Sequence, residues 1–293
     1  MAQGTSPTVF CDIACELGEG PSYDPATDTL FWFDILGRKL LERKFSGGET
    51  VVHYLPEMAS AIATIDGGRQ LLVTETGLYV RDRRTGALKL HTPLEADDPA
   101  TRSNDSRTHP SGAFWIGTMG KGAEAGAGAI YWFRKGELRK IVTGVTVPNA
   151  ICFSADGRTA YFTGTVENVL FRVDCDPETG LPLGEPKVFV DCRGRPGVPD
   201  GAVVDADGVL WNARWGGGSL DAYAPNGTMV RSLAVPARQS SCPAFAGPDG
   251  GKIVVTSAWA DMDETARAAD PQAGRTFLLD LPVKGRFEPP VLL

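Results

Sequence analysis

A short phrase recurs six times along the chain: a distinctive residue, a turn resembling Asp-x-x-Gly five positions later, then an aromatic or aliphatic strand. The copies start at Glu19 (EGPSYDPATDTLFW), Ala61 (AIATIDGGRQLLV), Asn104 (NDSRTHPSGAFWI), Asn149 (NAICFSADGRTAYF), Asp200 (DGAVVDADGVLW) and Cys242 (CPAFAGPDGGKIVV). Successive starts lie 42, 43, 45, 51 and 42 residues apart. That period suits a four-stranded blade, and six such units predict an all-β fold, a six-bladed β-propeller. The repeat covers almost everything, so residues 1–293 read as a single domain.

In a propeller the equivalent position of every blade falls at one depth of the central channel. Four of the six are Glu19, Asn104, Asn149 and Asp200, all oxygen donors. Each alone also fits a turn or solvent-facing role. Together, converging carboxylates and amides are what a hard divalent cation requires. Burying Glu19 and Asp200 side by side without one would cost on the order of several kcal/mol per charge. A metal site in the channel is therefore expected, with positions left open for water and substrate. Such a cation polarises a carbonyl and acidifies a bound water. An activated ester such as a lactone suits that chemistry, whereas an unactivated amide does not.

Composition removes other classes. The 293 residues carry a net charge of −7 with both signs interspersed, which disfavours nucleic acid as a partner. No apolar run approaches the roughly 20 residues of a bilayer span, and the opening MAQGTSPTVFCDIA has no signal-peptide pattern. A cytoplasmic protein is expected, with no membrane partner. Thirty-five Gly and twenty-one Pro fit many tight turns. The six cysteines (Cys11, Cys15, Cys152, Cys175, Cys192, Cys242) lack C-x-x-C spacing and read as free, buried thiols.

Strands are expected at Leu30–Ile35 and Lys39–Phe45, with the same design in the third and fifth units. The Gly/Ala-rich segment 120–128 reads as a mobile loop, and 260–269 as a helix capped by Asp261. The strand around Thr8–Ala14 is expected to pair beside the last blade, near Thr276–Leu281, removing an exposed edge. His109 occupies the turn position held elsewhere by Asp24, Asp66 and Asp205, which gives it a structural role. No G-x-S-x-G elbow or phosphate-binding loop is present.

Several motifs make the chain resemble the SMP-30/gluconolactonase/regucalcin family. They are Leu17-Gly-Glu-Gly-Pro21, Arg102-Ser-Asn-Asp105, Phe114-Trp-Ile-Gly-Thr-Met119, Pro199-Asp-Gly201 and Trp215-Gly-Gly217, with a late segment running from Met262 to Gly274. The resemblance implies a six-bladed propeller that hydrolyses sugar lactones with one divalent metal. By similarity the metal ligands fall on Glu19, Asn149 and Asp200, while Arg102 and Asn104 match the pair that contacts substrate hydroxyls. Asp200 is the implied residue for assisting water attack, with a metal-supplied hydroxide as the variant. Many relatives carry an acidic residue after Gly-Thr-Met, where this chain has Gly120-Lys121-Gly122. Lys121, with Arg214, is a candidate for contacting an anionic substrate group, and Trp215 and Trp259 for lining the mouth.

The leading expectation is a metal-dependent lactonase converting an aldono-1,4- or 1,5-lactone to its aldonic acid. The cofactor is one divalent ion: calcium, zinc, magnesium, manganese and iron(II) all accept these donors. Two alternatives remain: a phosphotriesterase or arylesterase, and a non-catalytic calcium-binding, regucalcin-like protein. Oligomeric state is not legible.

Overall fold

The computed structural model describes residues 6–293, so the N-terminal leader reading falls partly outside the described residues. A short strand, β1 (Thr8–Cys11), precedes five four-stranded meanders. The first is β2 (Gly18–Asp24), β3 (Thr29–Asp34), β4 (Lys39–Lys44) and β5 (Val51–Tyr54). The second is β6 (Ala59–Thr64), β7 (Arg69–Thr74), β8 (Gly77–Asp82) and β9 (Leu88–Pro93). The third is β10 (Thr101–Thr108), β11 (Phe114–Gly120), β12 (Gly128–Arg134) and β13 (Glu137–Val145). The fourth is β14 (Asn149–Phe153), β15 (Thr159–Thr163), β16 (Val169–Asp174) and β17 (Lys187–Asp191). The fifth is β18 (Val198–Val204), β19 (Leu210–Trp215), β20 (Ser219–Tyr223) and β21 (Met229–Ala234). In the sixth sheet β22 (Ser240–Ala246), β23 (Lys252–Ser257) and β24 (Thr276–Leu279) are joined by β1 in the order β1-β24-β23-β22. Six antiparallel sheets, one per sequence repeat, make a six-bladed β-propeller.

By contact density the chain divides into two compact units. One holds the chain up to Tyr54 and Gly194–Phe287, the other Leu55–Arg193 and Glu288–Leu293. In the first, β1 pairs antiparallel with β24, with Thr8 opposite Leu278, as the edge argument anticipates. Its core gathers Trp211, Leu220, Ile253, Val255 and Phe277 beside a second cluster around Trp32, Leu30 and Val254. In the second unit Leu71, Val73, Phe114, Ile116 and Phe133 form one cluster, and Trp115, Ile130, Ile151 and Phe162 another. All six cysteines are buried and none forms a disulfide among the described residues. Burial pushes the Cys175 thiol up to about 12, so it behaves as packing rather than as a nucleophile.

The recurring turns work as the sequence implies. Asp66 Oδ1 accepts from Gly68 N–H at 2.9 Å, and Asp205 Oδ1 from Asp207 N–H at 3.0 Å. His109 substitutes its ring for the carboxylate: Nδ1 accepts from Ser111 N–H at 3.0 Å and Nε2 faces Gly157 O at 2.8 Å. Burial holds its pKa below the ordinary histidine value, which keeps the ring neutral in this structural role. The helix differs from expectation. α1 spans Glu264–Ala269 and its cap is Asp263, whose side chain accepts from Ala266 N–H at 2.7 Å. Asp261 has φ +61, a left-handed turn conformation that cannot serve as the extended N-cap. Segment 121–127 is exposed. Among the described residues no helix is long and apolar enough to cross a membrane.

The last residues pack within the second unit. Val291 N–H donates to Thr64 O at 2.8 Å, and the Glu288 carboxylate pairs with the buried Arg107 guanidinium at 2.6 Å. Glu288→Ala is expected to lower the urea unfolding free energy by about 2 kcal/mol, because it withdraws a charged partner from a buried guanidinium. An unchanged transition midpoint would show that this pair contributes nothing.

Candidate active site

Every sheet's first strand carries a register shift near its start. The shifts lie between Glu19 and Ser22, Ala59 and Ala61, Ser103 and Ser106, Asn149 and Cys152, Pro199 and Ala202, and Ser240 and Pro243. At each bulge residues leave the ladder, and their backbone groups and side chains turn elsewhere. Glu19, Asn104, Asn149 and Asp200 all sit at or beside these shifts, and all four are buried. One repeated backbone irregularity therefore presents the candidate residues.

In the second unit the bulges are joined by side chains. Ser60 Oγ donates to Asn104 O at 2.7 Å and lies 2.8 Å from Ser103 Oγ. Asn104 Nδ2 donates to Pro148 O at 3.0 Å and to Asn149 Oδ1 at 2.9 Å. Its own Oδ1 accepts from Arg102 Nη1 at 2.9 Å. Asn149 Nδ2 is committed to Thr165 Oγ1 at 3.0 Å. The relay Arg102–Asn104–Asn149 fixes both amide orientations, because only one assignment satisfies donor and acceptor at each step. It leaves Asn149 Oδ1, an sp² oxygen that accepts from Asn104 Nδ2, with a second lone pair. That orientation fits a cation ligand.

Asp105 lies beneath this relay. Its Oδ2 accepts from Ile151 N–H at 2.7 Å, so it is a structural acceptor rather than a ligand. Burial pushes its carboxyl up to about 6, opposed by the Arg107 guanidinium and the Ile151 N–H.

In the first unit Glu19 Oε2 accepts from Gly20 N–H at 3.0 Å, and Ser241 Oγ donates to Gly18 O. Asp200 is held by its backbone: Asn212 Nδ2 donates to Asp200 O at 2.8 Å and to Gly201 O at 3.1 Å. At Gly201 an added Cβ would meet Cys242 Sγ at 2.3 Å, so only glycine fits beside Asp200. Arg214, a candidate for the substrate wall, is instead fully buried, donating from Nη2 to Gly197 O at 2.8 Å. It clamps the segment that leads into Asp200. The face of Trp259 is covered by the Arg267 guanidinium at 4.1 Å from the ring centroid. Lys121 lies just past β11, with its ammonium 2.5 Å from Glu75 Oε2.

Among the described residues no three His, Cys, Asp or Glu side chains converge as a metal-binding group. The ligand set expected from the sequence has two carboxylates, Glu19 and Asp200, and one amide, Asn149. Sequence reasoning passed over Ser60, Ser241, Asn212 and Glu75. Serine in a bulge carries no spacing signal, and Glu75 belongs to a different repeat from Lys121.

These features define a class: a six-bladed β-propeller whose polar, buried bulge residues lie on the first strand of each blade. The SMP-30/Gluconolactonase/LRE-like region model matches residues 17–259, and the chain belongs to that family. It is similar to a Rhizobium meliloti protein provisionally designated a sugar lactone lactonase, at 52% identity over 95% of this chain and 94% of that one. It is 35% identical to L-arabinolactonase of Azospirillum brasilense, over 92% of this chain and 90% of that protein. A crystal structure described as a calcium-binding protein, regucalcin, from Agrobacterium tumefaciens superposes with a TM-score of 0.97. It has 49% identity and covers 99% of this chain and 98% of its own.

The folded chain holds the Asp105 proton more tightly than the unfolded chain, so this group erodes stability as pH rises from 3.8 to about 6. Asp105→Asn should abolish that contribution. The stability difference between wild type and variant, from urea unfolding, is expected to change by on the order of 3 kcal/mol across the window. A pH-independent difference would contradict the assignment.

Proposed function

We propose that the protein is a divalent-metal-dependent sugar lactonase, opening an aldonolactone to its aldonic acid. The observation that carries the reading is the Arg102–Asn104–Asn149 relay, which fixes the Asn149 amide and links it through Asn104 to a guanidinium. Support comes from the family and from two relatives whose names specify pentose-derived lactones: the arabinolactonase and the pentonolactonase XacC of Haloferax volcanii, 34% identical over 96% of each chain.

In this reading Glu19, Asn149 and Asp200 ligate one divalent ion. When bound, the cation supplies Lewis-acid polarisation of the lactone carbonyl and charge stabilisation as the ring opens. Arg102 donates to substrate hydroxyls from a guanidinium already oriented by Ser103 O and Asn104 Oδ1. Asn104 contributes by holding Asn149 and Arg102 in register. Asp200, its backbone fixed by Asn212, orients the attacking water and accepts its proton. Lys121 borders the substrate at the end of β11. Water adds to the carbonyl carbon, the ring C–O bond breaks, and the released alkoxide takes a proton to give the hydroxy acid.

A second reading has its own support. The structure with 49% identity is described as calcium-binding, and the second reading is a calcium-binding protein.

One assay separates them. Metal-stripped protein is supplied with individual divalent ions and pentono- and hexonolactones, and acid release is followed with a pH indicator. Metal-dependent hydrolysis above the spontaneous rate is expected, falling at least about 100-fold in Asp200→Ala. Folded, metal-loaded protein that opens none of them would replace the lactonase with the calcium-binding reading.

A further inference from the structure

Two cations were candidates for meeting an anionic substrate group, Lys121 and Arg214, and neither presents an uncompensated charge. Arg214 is fully buried on the carbonyls of Pro196 and Gly197. Lys121 is tied at both ends: its N–H donates to Ala100 O at 2.8 Å, and its ammonium pairs with Glu75 at 2.5 Å. Glu75 is the more buried partner, 16% exposed against 36% for Lys121, and its Oε1 accepts from Met58 N–H at 3.0 Å. A carboxylate held by its own backbone donor stays put, and a flexible lysine comes to it.

The surroundings add negative charge. Glu57 accepts from the hydroxyl of Thr76, the residue after Glu75, at 2.8 Å. Glu124 accepts from Gly122 N–H at 3.1 Å, one residue beyond Lys121. Glu57 and Glu124 thus add carboxylates on segments next to Glu75 and Lys121. Lys121 also adjoins the start of β10, where Gly120 is paired with Thr101 and Met119 with Arg102. The Lys121 backbone therefore adjoins the strand that carries Arg102, the guanidinium proposed to meet substrate. Arg102 itself is engaged by Ser103 O and Asn104 Oδ1.

We infer that Glu75 is a positioning residue for specificity: by fixing and neutralising Lys121 it sets the site for uncharged sugar lactones and against those bearing a carboxylate. This rests on the lactonase reading. The ammonium, turned toward Glu75, borders the substrate through its methylene stem. An incoming carboxylate would meet at Lys121 an ammonium already compensated by Glu75 rather than an open cation.

The test compares kcat/KM for a neutral pentonolactone with that for a uronic-acid lactone of the same ring size, on metal-loaded protein. Wild type is expected to favour the neutral substrate. Glu75→Gln releases Lys121 and should shrink that preference roughly 10-fold, chiefly through a lower KM for the anionic lactone. Lys121→Gln should move the preference the other way and decides the matter even if the Glu75 variant fails to fold. A ratio unchanged in a folded variant, or a wild type that prefers the anionic lactone, overturns the inference alone. A wild type that hydrolyses neither lactone overturns the lactonase reading and takes this inference with it.

Discussion

Neighbouring sheets share at most isolated backbone bridges such as Leu17 with Ala258 and Trp215 with Gln239, so many polar groups at the start of each first strand find partners through side chains. The second unit shows how this is done. Ser60 reaches the carbonyl of Asn104, Asn104 reaches the carbonyl of Pro148 and the amide of Asn149, and Asp105 receives the N–H of Ile151. In the first unit Ser241 reaches the carbonyl of Gly18. Each such bond is worth only about 1 kcal/mol net, but leaving its buried partner unmade costs more. The bulges that create these unpaired groups also carry the candidate ligands, so fold and proposed chemistry rest on the same irregularity.

That coupling explains why the candidate residues tolerate burial. Asn104 never acts alone: its side chain's three hydrogen bonds hold Arg102 on one side and Pro148 and Asn149 on the other. Asp200 depends on Asn212 for its backbone and on Gly201 for space against Cys242. Under the proposed function such side chains are pre-organised, because neighbours committed to the fold lock them.

Much of the architecture was legible in the chain because it repeats. The Asp-x-x-Gly turns mark the hairpin between the first two strands of each blade, and Asp66 and Asp205 make the turn bonds that their spacing implies. Glu19, Asn104, Asn149 and Asp200 stood out because all but two repeats place an oxygen donor there. Partnerships between repeats were not legible. Lys121 looked like an open cation because nothing in its own segment announces Glu75, and Arg214 looked like a wall residue because its acceptors are backbone carbonyls without sequence identity. The helix cap moved from Asp261 to Asp263 because a left-handed turn intervenes, and nothing in ADMDE distinguishes the two aspartates.

The central claim is that the relay through Asn104 holds Asn149 ready for a cation. Calorimetric titration of metal-stripped protein with calcium addresses it directly, comparing wild type with Asn104→Ala. One site per chain is expected in wild type, weakened about 10-fold or more in the variant as Asn149 loses its orienting donor. No binding in wild type, or equal affinity in a folded variant, would contradict the account.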